Sequence, residues 1–173
     1  MQLLILAVLC FTAMPDINQE PAWQRFSSVE GRFSARMPTE PRISTLTTPT
    51  SQGMVLTQMV SSSDENLNEF MVSWTEYKSS DFEQRGTDAL FNRIRDALVG
   101  SQNGKVLSES AIDAGGHPAR SLAFSTSDGR LTTVRFYFVQ NRFYQVMAQT
   151  RPGFSEMADR FFESFKLIQS TRV

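Results

Sequence analysis

The side chains that could do chemistry are few. His117 is the single histidine and Cys10 the single cysteine of the 173 residues. A nucleophilic triad needs a base within hydrogen-bond reach of a hydroxyl, and a carboxylate that orients the base. His117 stands in Gly115-Gly116-His117-Pro118, a turn sequence, and no G-x-S-x-G elbow accompanies it. Its expected place is a turn or the surface. Asp113 could approach His117 across the same hairpin, but two ligands are too few for a dedicated zinc site. Ser63-Asp64-Glu65-Asn66 offers oxygens without the alternating Asp/Asn/Gly pattern that makes a calcium loop recognisable. Gly100 to Gly104, GSQNG, reads as a helix stop rather than a phosphate cradle. Carboxylate pairs for glycoside cleavage are assembled in space, and no pair stands out in the chain. The sequence therefore predicts no catalytic residue, no metal and no cofactor.

Recognition is a different matter. Arg120, Arg135, Tyr137 and Gln145 fall on neighbouring predicted strands, on what reads as a half-polar sheet face. An arginine placed mid-strand beside aromatics can receive a carboxylate or a partner's acidic group. The competing reading packs the arginine stem on the sheet and sends its head to water or to an internal Asp or Glu. With His117, these four are the candidate ligand- or partner-binding residues.

The elements that must position them can be read from periodicity and turn residues. Trp23 to Pro41 reads as a hairpin: a strand with Trp23 and Phe26, a turn at Glu30-Gly31, and a strand with Phe33 and Met37 that stops at Pro38. Gly31 is expected to supply the positive φ of the turn. Strands follow at 42–48, 54–62 and 69–77, the last alternating Phe70, Val72 and Trp74 against Ser73 and Thr75. Leu90, Phe91, Ile94, Ala97 and Leu98 form a helical stripe that ends near Gly100. Its start is either a capping box at Ser80 to Glu83 or Thr87-Asp88. Strands at 106–112, 119–125, 131–139 and 143–150 complete the pattern. In the last three, Leu122, Phe124, Val134, Phe136, Phe138, Tyr144, Val146 and Ala148 are expected on one buried face. A final helix, capped by Ser155, carries Met157, Ala158, Phe161, Phe162 and Phe165, with Lys166 near its C-terminal end. The expected class is α+β: an antiparallel meander flanked by helices, an α/β/α sandwich.

Composition bounds the partners. Lys+Arg number 17 and Asp+Glu 18, with no basic block, which argues against nucleic acid. Residues 1–22 stand apart. Met1 to Ala13, MQLLILAVLCFTA, is apolar, too short to span a bilayer, and resembles the core of a secretory signal. No cation precedes it, and Leu9 before Cys10 is unlike a lipidation site. An uncleaved membrane tether and a buried cytosolic element are the alternatives. Asp16 to Ala22 is a polar linker, and residues 23–173 form a single domain in this reading. Removal of the leader would leave that domain without cysteine, excluding disulfides and thiolate chemistry.

Four stretches carry a family resemblance: W-x-x-F-x-S-x-E-G-R-F-S-x-x-M-P-x-x-P at Trp23 to Pro41, G-H-P at Gly116 to Pro118, R-F-Y-F-V-x-N-R-F-Y-Q-V at Arg135 to Val146, and R-F-F-E-S-F-K-L at Arg160 to Leu167. Together they resemble uncharacterised bacterial exported proteins whose fold is similar to that of the photosystem II extrinsic protein PsbP, a fold shared with a nuclear-import factor that binds the GTPase Ran. One departure is visible: Ala119 and Ser121 flank Arg120 where glycine and an acidic residue are expected, which puts the usual ion pair of this loop in question. The resemblance implies binding and assembly rather than catalysis. The expectation is a non-enzymatic, periplasmic or secreted module for an unknown protein partner, one that could be membrane-associated. The alternative is a small-ligand-binding domain using the half-polar face, and a hydrolase comes third.

Overall fold

The structure, a computed structural model, describes residues 23–50, 53–77 and 86–168. The leader and linker expected in residues 1–22 and the capping box at Ser80 to Glu83 lie outside the described residues. Ten strands and two helices are seen among those described. The opening hairpin is β1 (Gln24–Ser28) and β2 (Phe33–Met37). Its turn differs from expectation in one residue. The left-handed φ belongs to Arg32, at 51°, while Gly31 is needed for room. A Cβ on Gly31 would stand 2.6 and 2.7 Å from two ring carbons of Phe33 and 2.9 Å from Ser28 Oγ, closer than real Cβ atoms come.

The hairpin does not join the meander. It pairs through β2 with β10 (Lys166–Leu167), the last described strand, as a three-stranded sheet β1-β2-β10. The large sheet has seven antiparallel strands: β3 (Arg42–Thr50), β4 (Gly53–Ser63), β5 (Glu69–Glu76), β6 (Lys105–Ala111), β7 (Ala119–Ser125), β8 (Leu131–Val139) and β9 (Arg142–Thr150). Their order is β3-β4-β5-β9-β8-β7-β6, so β3 and β6 are its edges. Helix α1 (Gly86–Ser101) covers one face. Helix α2 (Ser155–Ser164) and the small sheet cover the other. The class is α+β, as expected, but the architecture is richer in sheet than an α/β/α sandwich.

Each face has its own core. Beneath α2 and the small sheet, Phe33, Met37, Val60, Phe70, Val72, Trp74, Tyr144, Val146, Phe161 and Phe165 are buried together. Trp23 meets Phe70 edge-on at 4.8 Å between ring centroids, and Phe33 meets Trp74 at 5.6 Å. Such contacts are worth about 0.5–1.5 kcal/mol each beyond the area they bury. Beneath α1, Leu90 and Phe91 pack on Leu122, Phe124, Val134, Phe136, Phe138 and Phe143.

These two lists correct the single buried face. The two-residue turn Gln140-Asn141 places Val139 opposite Arg142, so paired residues of β8 and β9 differ in parity. Tyr144 opposes Tyr137, Val146 opposes Arg135 and Ala148 opposes Thr133, all on the α2 side. The odd-length turn between β7 and β8 preserves parity, with Leu122 opposite Val134. The helix ends also differ. Phe154, not Ser155, is the residue that precedes α2, and no side chain caps it. Lys166 lies in β10, opposite Ser34, rather than at the helix C-terminus. At the end of α1 the left-handed residue is Asn103, with φ 47°, and Gly104 N–H donates to Val99 O at 2.8 Å.

The β3–β4 hairpin is chemically distinct. Ile43 to Ser63 contains no charged residue. Ile43, Leu46, Met54 and Leu56 are exposed on it. Pairing with β5 runs only from Thr57 to Ser63, so the outer half is a two-stranded ribbon. Pro49 is tolerated because β3 is an edge.

Candidate functional site

Register divides the five candidate residues. Arg120 opposes Phe136 and Gln145 also opposes Phe136, so both belong to the α1 face. Arg135 and Tyr137 belong to the α2 face. The half-polar face is therefore two half-sites on opposite sides of the sheet.

On the α2 side the two residues are packed rather than open. The Arg135 guanidinium lies 4.5 Å from the centroid of the Phe162 ring. Its Nε is buried without a hydrogen-bond partner, and the cation–π contact offsets part of that cost. The Tyr137 ring stacks on Phe165 at 5.4 Å. Burial raises the Tyr137 pKa, and the neighbouring Arg135 opposes the rise. This is the competing reading of Arg135, an arginine stem laid on the sheet under a helix.

On the α1 side a groove of about 740 Å³ opens between the first turns of α1 and the β6–β7 hairpin. Phe91 and Pro118 give it apolar walls, Ile112 and Ala119 border it while packing on the α2-side core, and Asp88, Arg95, Glu109, His117 and Arg120 line it with polar groups. Arg120 Nη1 donates to Glu109 Oε1 at 2.8 Å and to Asn92 Oδ1 at 2.6 Å, and Nη2 donates to Asp88 Oδ1 at 2.8 Å. Its guanidinium carbon is 5.3 Å from the centroid of the Phe91 ring. The other Glu109 oxygen accepts Arg95 Nη1 at 3.0 Å, while Arg95 Nε donates to Asp96 Oδ1 at 2.9 Å. Asp96 first and Glu109 second hold the Arg95 pKa above its ordinary value. Charge thus alternates along one line: Asp88, Arg120, Glu109, Arg95, Asp96.

This arrangement answers the doubt raised by Ala119 and Ser121. Arg120 has its ion pairs, supplied by β6 and α1 instead of by its sequence neighbours. Ala111 is the cross-strand partner of Arg120, which puts Glu109 diagonal to it on the same face. Asp88, Arg95 and Glu109 were not singled out from sequence. Glu109 could have been found from the hairpin register alone, whereas Asp88 and Arg95 require the docking angle of α1.

His117 reaches the groove from the turn before β7. Gly115 and Gly116 have φ of 65° and 84°, which lets the chain turn tightly, and Asp113 Oδ1 accepts the Gly115 N–H at 3.0 Å. Asp113 thereby closes its own turn. Asp64 does likewise: it accepts from the Asn66 and Asn68 N–H groups and from Asn68 Nδ2. Among the described residues no three His, Cys, Asp or Glu side chains cluster as a metal site would need.

A residue that sequence reasoning missed joins the layers on the α2 side. Arg142, 7% exposed, donates from Nη1 to Glu30 O at 2.7 Å and from Nη2 to the Glu76 carboxylate. Burial works against its charge, but hydrogen bonds to Glu76 and Tyr144 outweigh that, and its pKa is raised. Gln58 Nε2 also donates to the Glu30 carboxylate. The small-sheet turn is thereby fastened to β4 and β9, inner strands of the large sheet.

No protein-family model matches the chain, and no curated protein matches it. Among solved structures, the solution structure of cyanobacterial PsbP (CyanoP) from Synechocystis is similar, with a TM-score of 0.58 and 13% sequence identity. The match covers 91% of this chain and 98% of that one. The chain has a PsbP-like fold. Among the described residues no helix is long and apolar enough to cross a membrane.

Proposed function

We propose that the protein is a non-enzymatic binding module, exported from the cytoplasm, that assembles with a protein partner through the groove between α1 and the β6–β7 hairpin. The observation that carries this reading is the groove itself: an open cleft with apolar walls and convergent arginines, within the usual size of binding sites of about 300–1,000 Å³. The charged groups in it are already paired with one another, which suits recognition rather than proton transfer. Among the described residues, the His117 side chain makes no hydrogen bond to a hydroxyl or carboxylate that would form a nucleophile–base pair. The PsbP-like fold supports the same reading by analogy with the similar solution structure.

The test places a photo-crosslinking residue at Ala111, exposed in the groove, or at Arg93, exposed on α1 outside it. Irradiated in its native compartment, the full chain should give one discrete adduct from position 111 and none from position 93. The same adducts from both positions, or none from either, would refute the groove as the assembly surface. Export is read from Met1 to Ala13 and is tested separately. The mature protein should begin between residues 14 and 23, and a cytosolic chain retaining Met1 would overturn that part.

A further inference from the structure

The position of Asp88 invites a more specific reading of the groove. Its side chain is 85% exposed, yet its carboxylate sits on Nη2 of Arg120, whose own side chain is only 16% exposed. The two remaining partners of Arg120, Glu109 and Asn92, both bind Nη1. Nη2 is thus satisfied by a group that water surrounds and that contributes little to stability. The Glu109 carboxylate, 23% exposed and bridging two arginines, is held far more firmly. The Phe91 ring lies 5.3 Å from the Arg120 guanidinium carbon, and Pro118 lines the same groove.

An arginine fixed on one side, closed on the other by an exchangeable carboxylate, and bordered by apolar surface has the chemistry of a carboxylate receptor. We infer that Asp88 is a place-holder, and that the groove receives an acidic side chain carried on an apolar peptide segment of the partner. That carboxylate takes Nη2 of Arg120 while Asp88 turns to water. The inference rests on the binding-module reading and names what the module recognises. Local pairing supports this occupant. With Asp88 turned away, Arg95 and Arg120 stand against Glu109 and Asp96, and the donor left without a carboxylate is Nη2 of Arg120, which the incoming carboxylate satisfies. The openness of the cleft at the surface suits a peptide segment rather than a wholly enclosed molecule.

The experiment uses two blocked peptides, acetyl-Phe-Glu-amide and its neutral isostere acetyl-Phe-Gln-amide, with 3-phenylpropionate as a small free carboxylate. Each is titrated into the ¹⁵N-labelled protein while the arginine Nε–Hε resonances are followed. The Glu peptide should shift the Arg120 resonance, and the Gln peptide should bind at least several-fold more weakly. Asp88→Asn removes the internal competitor and, at so exposed a position, leaves the fold intact. It should tighten the Glu peptide by up to about five-fold, the factor that corresponds to an exposed ion pair, and leave the Gln peptide unchanged. Arg120→Gln should abolish the preference for Glu over Gln. Equal binding of both peptides, or an Asp88→Asn variant that binds the Glu peptide no better than the parent, would overturn the inference. So would 3-phenylpropionate binding as tightly as the Glu peptide, since that would assign the site to a small molecule. These readouts do not depend on the crosslinking result. A groove adduct at position 111 together with indifference to peptide charge would leave the module standing and remove the place-holder.

Discussion

The turn at Gly31-Arg32 gives a prediction that separates two physical roles of glycine. If Gly31 were required for a left-handed φ, its replacement would fail for backbone reasons whatever surrounds it. The structure instead places the left-handed φ on Arg32 and the steric limit on Gly31. Gly31→Ala must then push its methyl group into the Phe33 ring, which is wholly buried in the core with Trp74 and Phe165 around it. Overpacking of this kind costs about 1–3 kcal/mol. The loss of glycine freedom in the unfolded chain returns about 0.4–1 kcal/mol. The net expectation is a loss of about 1–2 kcal/mol. For a domain of this size that is a fall in Tm of about 2–8 °C. Urea unfolding followed by tryptophan emission suits the measurement, because both tryptophans, Trp23 and Trp74, lie in the core that the ring occupies. Phe33→Val, which deletes the two ring carbons involved, is itself costly, but in that background Gly31→Ala should cost at least about 1 kcal/mol less than in the parent, a coupling that a double-mutant cycle resolves. Arg32→Gly should stabilise the protein by about 0.5–1 kcal/mol by relieving the left-handed residue. Equal cost of Gly31→Ala in both backgrounds would refute the steric account.

Three further outcomes follow from the described contacts. Arg142→Met should destabilise the protein by about 1.5–3 kcal/mol and raise amide exchange in β1 and β2, since it releases the Glu30 carbonyl; Glu76→Gln, at an exposed carboxylate, should cost less than about 1 kcal/mol. Tyr137 and Tyr144 have pKa values raised by burial above the ordinary 10.0, with Arg135 and Arg142 respectively opposing the rise. Because the folded state holds these protons more tightly, their contribution is complete below pH 10 and is lost as pH climbs through the folded values. Tyr137→Phe and Tyr144→Phe should flatten the alkaline limb of a stability–pH curve, and an unchanged limb would count against the assignment. Asn68, wholly buried, accepts the Arg151 N–H at 2.9 Å and donates to Asp64; Asn68→Ala should cost about 1–3 kcal/mol in urea unfolding, with no dependence on added calcium.

Much of the strand pattern could be read directly. Val139 and Arg142 flank a two-residue turn, and the alternation of Phe70, Val72 and Trp74 delivers all three into one core. What failed was the step from strands to faces. Counting even-numbered residues across Gln140-Asn141 assumes that a turn preserves parity, which only an odd-length turn does. Tyr144, Val146 and Ala148 therefore changed sides, and Gln145 was separated from Arg135 and Tyr137, while Arg120 is set apart from Arg135 by parity alone across the β7–β8 hairpin. The small sheet was hidden for another reason. Nothing local in Lys166-Leu167 says strand, and its pairing with β2 depends on where α2 ends. Arg142 was silent as well, since its burial arises from β5 and β9 becoming neighbours, a choice that no short segment records.

The pairing of Phe33 and Ser34 with Leu167 and Lys166 joins positions more than 130 residues apart. A ribosome releases Phe33 and Ser34 long before Lys166 and Leu167. Until Leu167 emerges, β2 lacks one neighbour, and Phe33 and Phe70 wait for Phe165 and Phe161 to cover them. Non-local closure of this kind slows folding, because the loop must be closed before its contacts contribute. The β1–β2 hairpin is thus made early and finished late, and this domain stays open on its α2 side until β10 has been delivered.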